Sequence, residues 1–134
     1  MVKEIKIAIA GKPNCGKSTL FNALTGLNQK TGNFPGVTVD KKWGNFSFEN
    51  KTVSLIDLPG TYSLYPKSID EEISTEILTD TKNENYPDAV LYVADASNLK
   101  QCLFLCSQII DLKIPTILAL NMIDVATEIG RAHV

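Results

Sequence analysis

The sequence predicts an α/β fold: a mostly parallel sheet with helices on both faces and one antiparallel hairpin strand. Two observations carry that expectation. Apolar runs of strand length alternate with stretches of helical periodicity, which implies right-handed crossovers between parallel strands. The polar, chemistry-bearing motifs fall directly after strands, at 11–18, 57–60 and 121–124, on the sheet edge where such folds bind their ligands.

The first strand is the β-branched run Ile5-Lys6-Ile7-Ala8-Ile9-Ala10. The first helix spans Ser18 to Gly26, with Leu20, Phe21 and Leu24 at helical spacing and Gly26 near its end. Between them lies Gly11-Lys12-Pro13-Asn14-Cys15-Gly16-Lys17-Ser18, a Gly, four residues, then Gly-Lys-Ser. That is the pattern of a phosphate-binding loop in the strand-to-helix context it requires. Gly11 and Gly16 let the backbone turn and approach an anion where a Cβ would not fit. Backbone N–H groups, those of Cys15 and Thr19 among the candidates, then face one concavity at a positive helix end. Lys17 would reach the β- and γ-phosphates, and the Ser18 hydroxyl would ligate Mg²⁺.

Residues 28–40 carry no periodicity, and a loop that long is usually functional. In a nucleotide switch protein such a segment offers a threonine to Mg²⁺ and the γ-phosphate, and Thr38 is the candidate. Taken alone, Thr38 reads equally well as a residue entering a strand. Residues 42–48 and 52–56 form a predicted hairpin across Glu49-Asn50-Lys51. Its second strand runs into Asp57-Leu58-Pro59-Gly60, where Asp57 would hold Mg²⁺ through a water and the Gly60 N–H would sense the γ-phosphate.

Residues 68–81 read as a helix with Ser68 as N-cap, an apolar face of Ile69, Ile73, Ile77 and Leu78, and acidic residues on a solvated face. Residues 88–94 read as a buried strand. A helix follows over 98–112, with Leu99, Leu103, Leu105, Cys106 and Ile109 apolar, and then a buried strand over 115–120. The last strand ends at Asn121-Met122-Ile123-Asp124.

Composition excludes several classes. A net charge of −2 over 134 residues lacks the basic footprint of a nucleic-acid binder. No apolar run approaches the roughly 20 residues of a membrane helix. Of the three cysteines, Cys102 and Cys106 share one face of a helix; they read as buried free thiols, the alternative being a metal pair that lacks further ligands. Cys15, at a helix N-terminus, is a candidate for a lowered thiol pKa.

At the third motif the Asp124 carboxylate can accept from both the ring N–H and the exocyclic amine of guanine. Adenine lacks that donor pair and would leave a carboxylate unpaired. With Asn121-Met122-x-Asp124, Gly-x-Pro-Asn-x-Gly-Lys-Ser and the loop Gly32-Asn33-Phe34-Pro35-Gly36-Val37-Thr38-Val39, the chain resembles the N-terminal G domain of the ferrous-iron transport protein B (FeoB) family over residues 3–127. The resemblance implies a Ras-like P-loop NTPase fold and a Mg²⁺-dependent GTPase that binds GTP and GDP. Its nucleotide contacts would include Gly36, Val37, Asn121 and Met122. It implies a K⁺ ion held by Asn14 and the carbonyls of Gly32 and Phe34, in place of an arginine finger. Thr61, standing where Ras-like enzymes carry a water-orienting glutamine, implies slow intrinsic hydrolysis.

The resemblance further implies a cytoplasmic domain at the bacterial inner membrane, joined to helical and permease domains outside this chain. A homo-oligomer of the full-length protein is compatible with the resemblance. Neither nucleic acid nor direct iron binding is expected of this segment. The family's G domain continues past Asn-Met-x-Asp for a helix, a strand and a helix, so the fold is expected to be incomplete at its C-terminus. Residues 128–134 depart from the family pattern, match a reading frame of a sequencing-adapter oligonucleotide, and include the lone His133; a non-native tail is expected. Poor expression or weak GTP binding would follow from the exposed sheet. Two other readings stay open: an RNA- or ribosome-associated GTPase, which usually carries Asn-Lys-x-Asp, and an inert truncated fragment.

Overall fold

The computed structural model describes residues 3–13 and 15–121. Six strands form one sheet in the order β2-β3-β4-β1-β5-β6. They are β1 (Lys3–Gly11), β2 (Gln29–Asn33), β3 (Asp40–Phe48), β4 (Lys51–Asp57), β5 (Ala89–Asp95) and β6 (Thr116–Asn121). β1 lies parallel to both β4 and β5, and β5 to β6. The remaining pairs, β2 with β3 and β3 with β4, are antiparallel. The helices are α1 (Lys17–Thr25), α2 (Ile69–Thr79) and α3 (Leu99–Asp111), the last preceded by a 3₁₀ turn over Ala96–Asn98.

The period-two alternation of β1 sorts its residues onto two faces. Ile9 packs with Phe21 of α1, Val53, Leu55 and Val93. Ala8 and Ala10 face Ile77 and Leu78 of α2 and Cys102, Leu105, Cys106 and Ile109 of α3. Helices therefore cover both faces, as predicted, with α1 on one and α2 and α3 on the other.

The hairpin is built as expected, with one refinement. Glu49 and Asn50 form its two-residue turn at φ 48° and 63°, the paired left-handed geometry that matches strand twist, and Lys51 already belongs to β4. β2 was not expected: its five residues read as loop because Gln-Lys-Thr-Gly-Asn has no apolar face. It needs none, since it is an edge strand with four of its residues exposed, and Lys30 on such an edge discourages pairing with another chain.

Two apolar readings need correction. Ile69 is 56% exposed, and Leu99 and Leu103 also reach solvent, so the buried stripes of α2 and α3 are narrower than their sequences suggest. β6 is not fully buried either: Ile117, Leu118 and Leu120 are each about half exposed. Cys102 and Cys106 are buried free thiols, as expected.

Candidate nucleotide-binding site

The site forms where β1, β4 and β6 end. A cleft of about 620 Å³ is lined by Lys17, by Gly36, Val37, Thr38, Val39, Asp40 and Lys42, by Asp57, Leu58 and Pro59, and by Ile69 and Asp70. The phosphate-loop lysine, the switch-loop threonine and the strand-end aspartate thus share one cavity. Each is delivered by a separate element: Lys17 by the first turn of α1, Thr38 by the segment before β3, and Asp57 by the last residue of β4.

At its floor Lys17 Nζ lies 3.7 Å from Asp57 Oδ1, both side chains about nine-tenths buried. That is an ion pair but too long for a hydrogen bond. Asp57 Oδ1 has no hydrogen-bond partner among the described residues. Burial pushes the Asp57 carboxyl above the usual carboxylate range, and the charges of Lys17 and Lys42 oppose this without overcoming it. A buried, under-coordinated carboxylate oxygen beside a cleft is the donor expected for a hard cation such as Mg²⁺. Ser18 and Thr19 are exposed in the first turn of α1 and do not line the cleft.

The phosphate loop is locked to its neighbours. Gly16 takes φ +98°, and a Cβ there would lie 1.7 Å from Asn121 Nδ2. Asn121 in turn donates from Nδ2 to the Cys15 carbonyl at 3.0 Å, so the third motif is tied directly to the first. Gly60 sits so close to Pro13 that a Cβ would meet its Cα and N at 2.7 Å. Thr61 N donates to the Gly11 carbonyl at 3.0 Å, which fastens the second motif to the first.

The thiol expectation for Cys15 fails. Its side chain is buried, and burial pushes its pKa up despite the opposing charge of Lys17. Of the residues named for potassium, Gly32 lies in β2 and Phe34 is a core residue, neither is among those lining the cleft, and the Phe34 carbonyl accepts from Val37 N at 3.3 Å. Asn14, Met122, Asp124 and His133, with the rest of 122–134, lie outside the described residues.

Sequence reasoning missed how α2 holds the second motif. Glu71, read as part of a solvated face, is 8% exposed. Its carboxylate accepts from Tyr62 N (3.2 Å), Lys67 N (3.1 Å) and Thr61 Oγ1 (3.0 Å), the last proton being shared with the Ser63 carbonyl at 2.8 Å. Desolvation works to raise the Glu71 pKa, but these donors and the Lys67 charge outweigh it, and the carboxyl lies below its ordinary value. One turn on, Ser74 Oγ donates to the Pro59 carbonyl at 2.8 Å, so α2 grips the chain on both sides of Gly60. Lys42 was missed as well. Only its register opposite Asp57 marks it, and pairing register is not visible in one sequence.

Comparison with known proteins agrees with this geometry. Residues 5–132 match the family model described as ferrous iron transport protein B. The Fe(2+) transporter FeoB of Leptospira biflexa is 52% identical over 124 residues, which cover 92% of this chain and 18% of that protein. The chain thus spans under a fifth of the length of that relative. The crystal structure of the G domain of the T. maritima FeoB iron transporter matches with a TM-score of 0.86 at 47% identity, covering 93% of this chain and 76% of that one. The cytosolic domain of the same transporter in its GMPPNP form gives 0.85 at 48% identity, over 94% of this chain and 48% of that one. On sequence and fold together, this chain belongs to the ferrous iron transport protein B family and forms a G domain of its type.

Proposed function

We propose that this domain binds GTP and hydrolyses it to GDP and phosphate, as the cytoplasmic G domain that regulates ferrous-iron uptake across the bacterial inner membrane. The observation that carries the proposal is the cleft in which Lys17, Thr38 and Asp57 meet above a phosphate loop fastened to Asn121. The FeoB cytosolic domain solved in a GMPPNP form supports a guanine nucleotide as the occupant. The helical and permease domains of the transporter would be its working partners. Among the described residues no helix is long and apolar enough to cross a membrane.

The residues divide the work as follows. Backbone N–H groups of the phosphate loop and the Lys17 ammonium bind the β- and γ-phosphates. Asp57 and Thr38, which line the cleft, would hold Mg²⁺, with Ser18 joining them only if its hydroxyl turns in from the first turn of α1; the ion when bound would neutralise charge developing on the phosphate oxygens. The Gly60 N–H, in the segment that Glu71 and Ser74 hold on both sides, would read the γ-phosphate, while Asn121 steadies the loop and Asp124 would select guanine. Thr61 turns its hydroxyl inward to Glu71, leaving no side chain at that position to orient a water. Intrinsic hydrolysis is therefore slow. Potassium assistance through Asn14 rests on the family likeness.

Titrating the chain with fluorescent GTP and ATP analogues in Mg²⁺, alongside phosphate-release assays in K⁺ and in Na⁺, tests this reading. GTP should be preferred by about 10⁴-fold if a carboxylate reads the base. Equal affinity for the two nucleotides would remove the guanine assignment, and equal rates in K⁺ and Na⁺ would remove the potassium.

A further inference from the structure

A second cavity, of about 380 Å³, lies beside the nucleotide cleft. Phe34, Pro35 and Val37 of the switch segment form one wall, Ile69, Ile73 and Ile77 of α2 another, and residues 83–85 close one end. Its floor is apolar and partly open to solvent, with Ile69 56% exposed. Its rim carries Glu72, Glu76 and Glu84, all exposed, and no Lys or Arg lines it. Among the described residues none of these three carboxylates has an ion-pair partner, and Lys6 donates to the Glu84 backbone carbonyl instead of its carboxylate.

We propose that this groove is a docking site for a cationic amphipathic helix of a partner protein. An apolar trough with an anionic rim is complementary to a helix that presents aliphatic side chains along one stripe and Lys or Arg beside it. The trough supplies the affinity and the rim the selectivity, because an anionic helix would meet three like charges. Glu72 and Glu76 are one helical turn apart and face the same direction, so a cationic helix lying along α2 can engage both.

The groove is also wired to the nucleotide cleft. Val37 and Ile69 line both cavities, and Gly36 to Asp40 continue directly from the groove wall into the cleft wall. Whatever repositions the switch segment around a nucleotide reshapes the groove, and by linkage a docked helix shifts nucleotide affinity by the same factor. This coupling rests on the nucleotide reading above; the docking itself does not.

The test uses the 134-residue chain and three labelled probes: a Leu/Lys amphipathic helical peptide, its Leu/Glu counterpart, and a scrambled Leu/Lys peptide. Fluorescence anisotropy should show binding of the Leu/Lys helix alone, weakened by salt and about tenfold weaker for the Glu72→Lys/Glu76→Lys variant. Far-UV circular dichroism and a cooperative thermal melt matching that of the parent chain establish that the variant is folded. Equal binding of the Leu/Glu or the scrambled peptide, or unchanged affinity in the folded variant, would overturn the docking proposal. Self-association that competes with the peptide would replace the partner with a second copy of this chain. The coupling predicts different peptide affinities with GDP and with GMPPNP bound, and equal affinities would refute it. Should the chain bind no nucleotide, the function proposal fails while peptide binding to the free chain still decides the groove.

Discussion

At Asp57 stability and function pull in opposite directions. The carboxylate is buried, its Oδ1 lacks a hydrogen bond among the described residues, and the Lys17 ammonium is 3.7 Å away, so the free protein bears a desolvation cost for a charge that the proposed Mg²⁺ would use. Asp57→Asn should therefore leave urea stability of the nucleotide-free protein unchanged or raised, while Mg²⁺-dependent GTP affinity falls by about 10–100-fold. Because burial raises the Asp57 pKa, the native state holds that proton more tightly than the unfolded chain. This group's contribution to stability thus grows as pH falls through the raised value, and the Asn variant should lose that acid-side gain. Gly16 offers a second test. Gly16→Ala forces a side chain into Asn121 at φ +98°, and a loss of about 1–3 kcal/mol in chemical denaturation is expected, whereas Asn121→Ala should weaken nucleotide binding with little effect on fold stability. Lys17 and Asp57 were legible in the sequence because their chemistry fixes motif spacing, and Thr38 only because those motifs flank its long loop. Lys42 and Glu71 were not, because they reach the site through strand register and helix packing.

The elements show the same division between local and tertiary signals. The hairpin turn could be read from its polar residues, but not its strain: Glu49 sits at φ 48°, where a side chain without a short polar group costs about 1 kcal/mol. Glu49→Asn should raise the thermal midpoint, and no rise would show that the left-handed geometry at Glu49 carries no such cost. β2 escaped notice because an exposed edge strand carries no hydrophobic alternation. α2 was recognised by its Ser68 cap, whose hydroxyl accepts from Glu71 N at 3.2 Å, yet its acidic residues were assigned to solvent as a group. One of them is the anchor of the 61–67 segment. Glu71→Gln should cost about 1.5–3 kcal/mol, the range for hydrogen bonds to a charged group. Since the native Glu71 pKa is lowered, its contribution is complete above the ordinary carboxyl value of about 4.3 and is lost as pH falls through the lower native value. The stability difference between the two proteins should accordingly shrink in acid. A difference that stays constant down to low pH would show that the charged form of Glu71 is not what holds the segment.

Across the molecule, the sheet edge does for the site what no one element could. Residues 12, 13, 15 and 16 lie between β1 and α1, 36–39 lead into β3, 57–60 form the exit of β4, and Asn121 ends β6. Their meeting depends on the parallel order β4-β1-β5-β6. That architecture was inferable from the alternation of strands and helices, because parallel strands joined by crossovers must present the same ends to one side. A ligand that bridges these segments should stabilise the whole sheet instead of one loop. At a hundredfold excess over its dissociation constant, Mg²⁺-GTP is expected to add about 2.7 kcal/mol, a rise of roughly 10 °C in the thermal midpoint for a domain of this size. ATP at the same concentration should add nothing comparable, and Asp57→Asn should remove most of the Mg²⁺-dependent part. Because the segments are fastened through Asn121 to Cys15 and Thr61 to Gly11, the melt should remain a single cooperative transition, shifted as a unit. A GTP-dependent shift confined to one phase of a split melt would show that the cleft is a local feature and that these contacts do not transmit binding to the sheet.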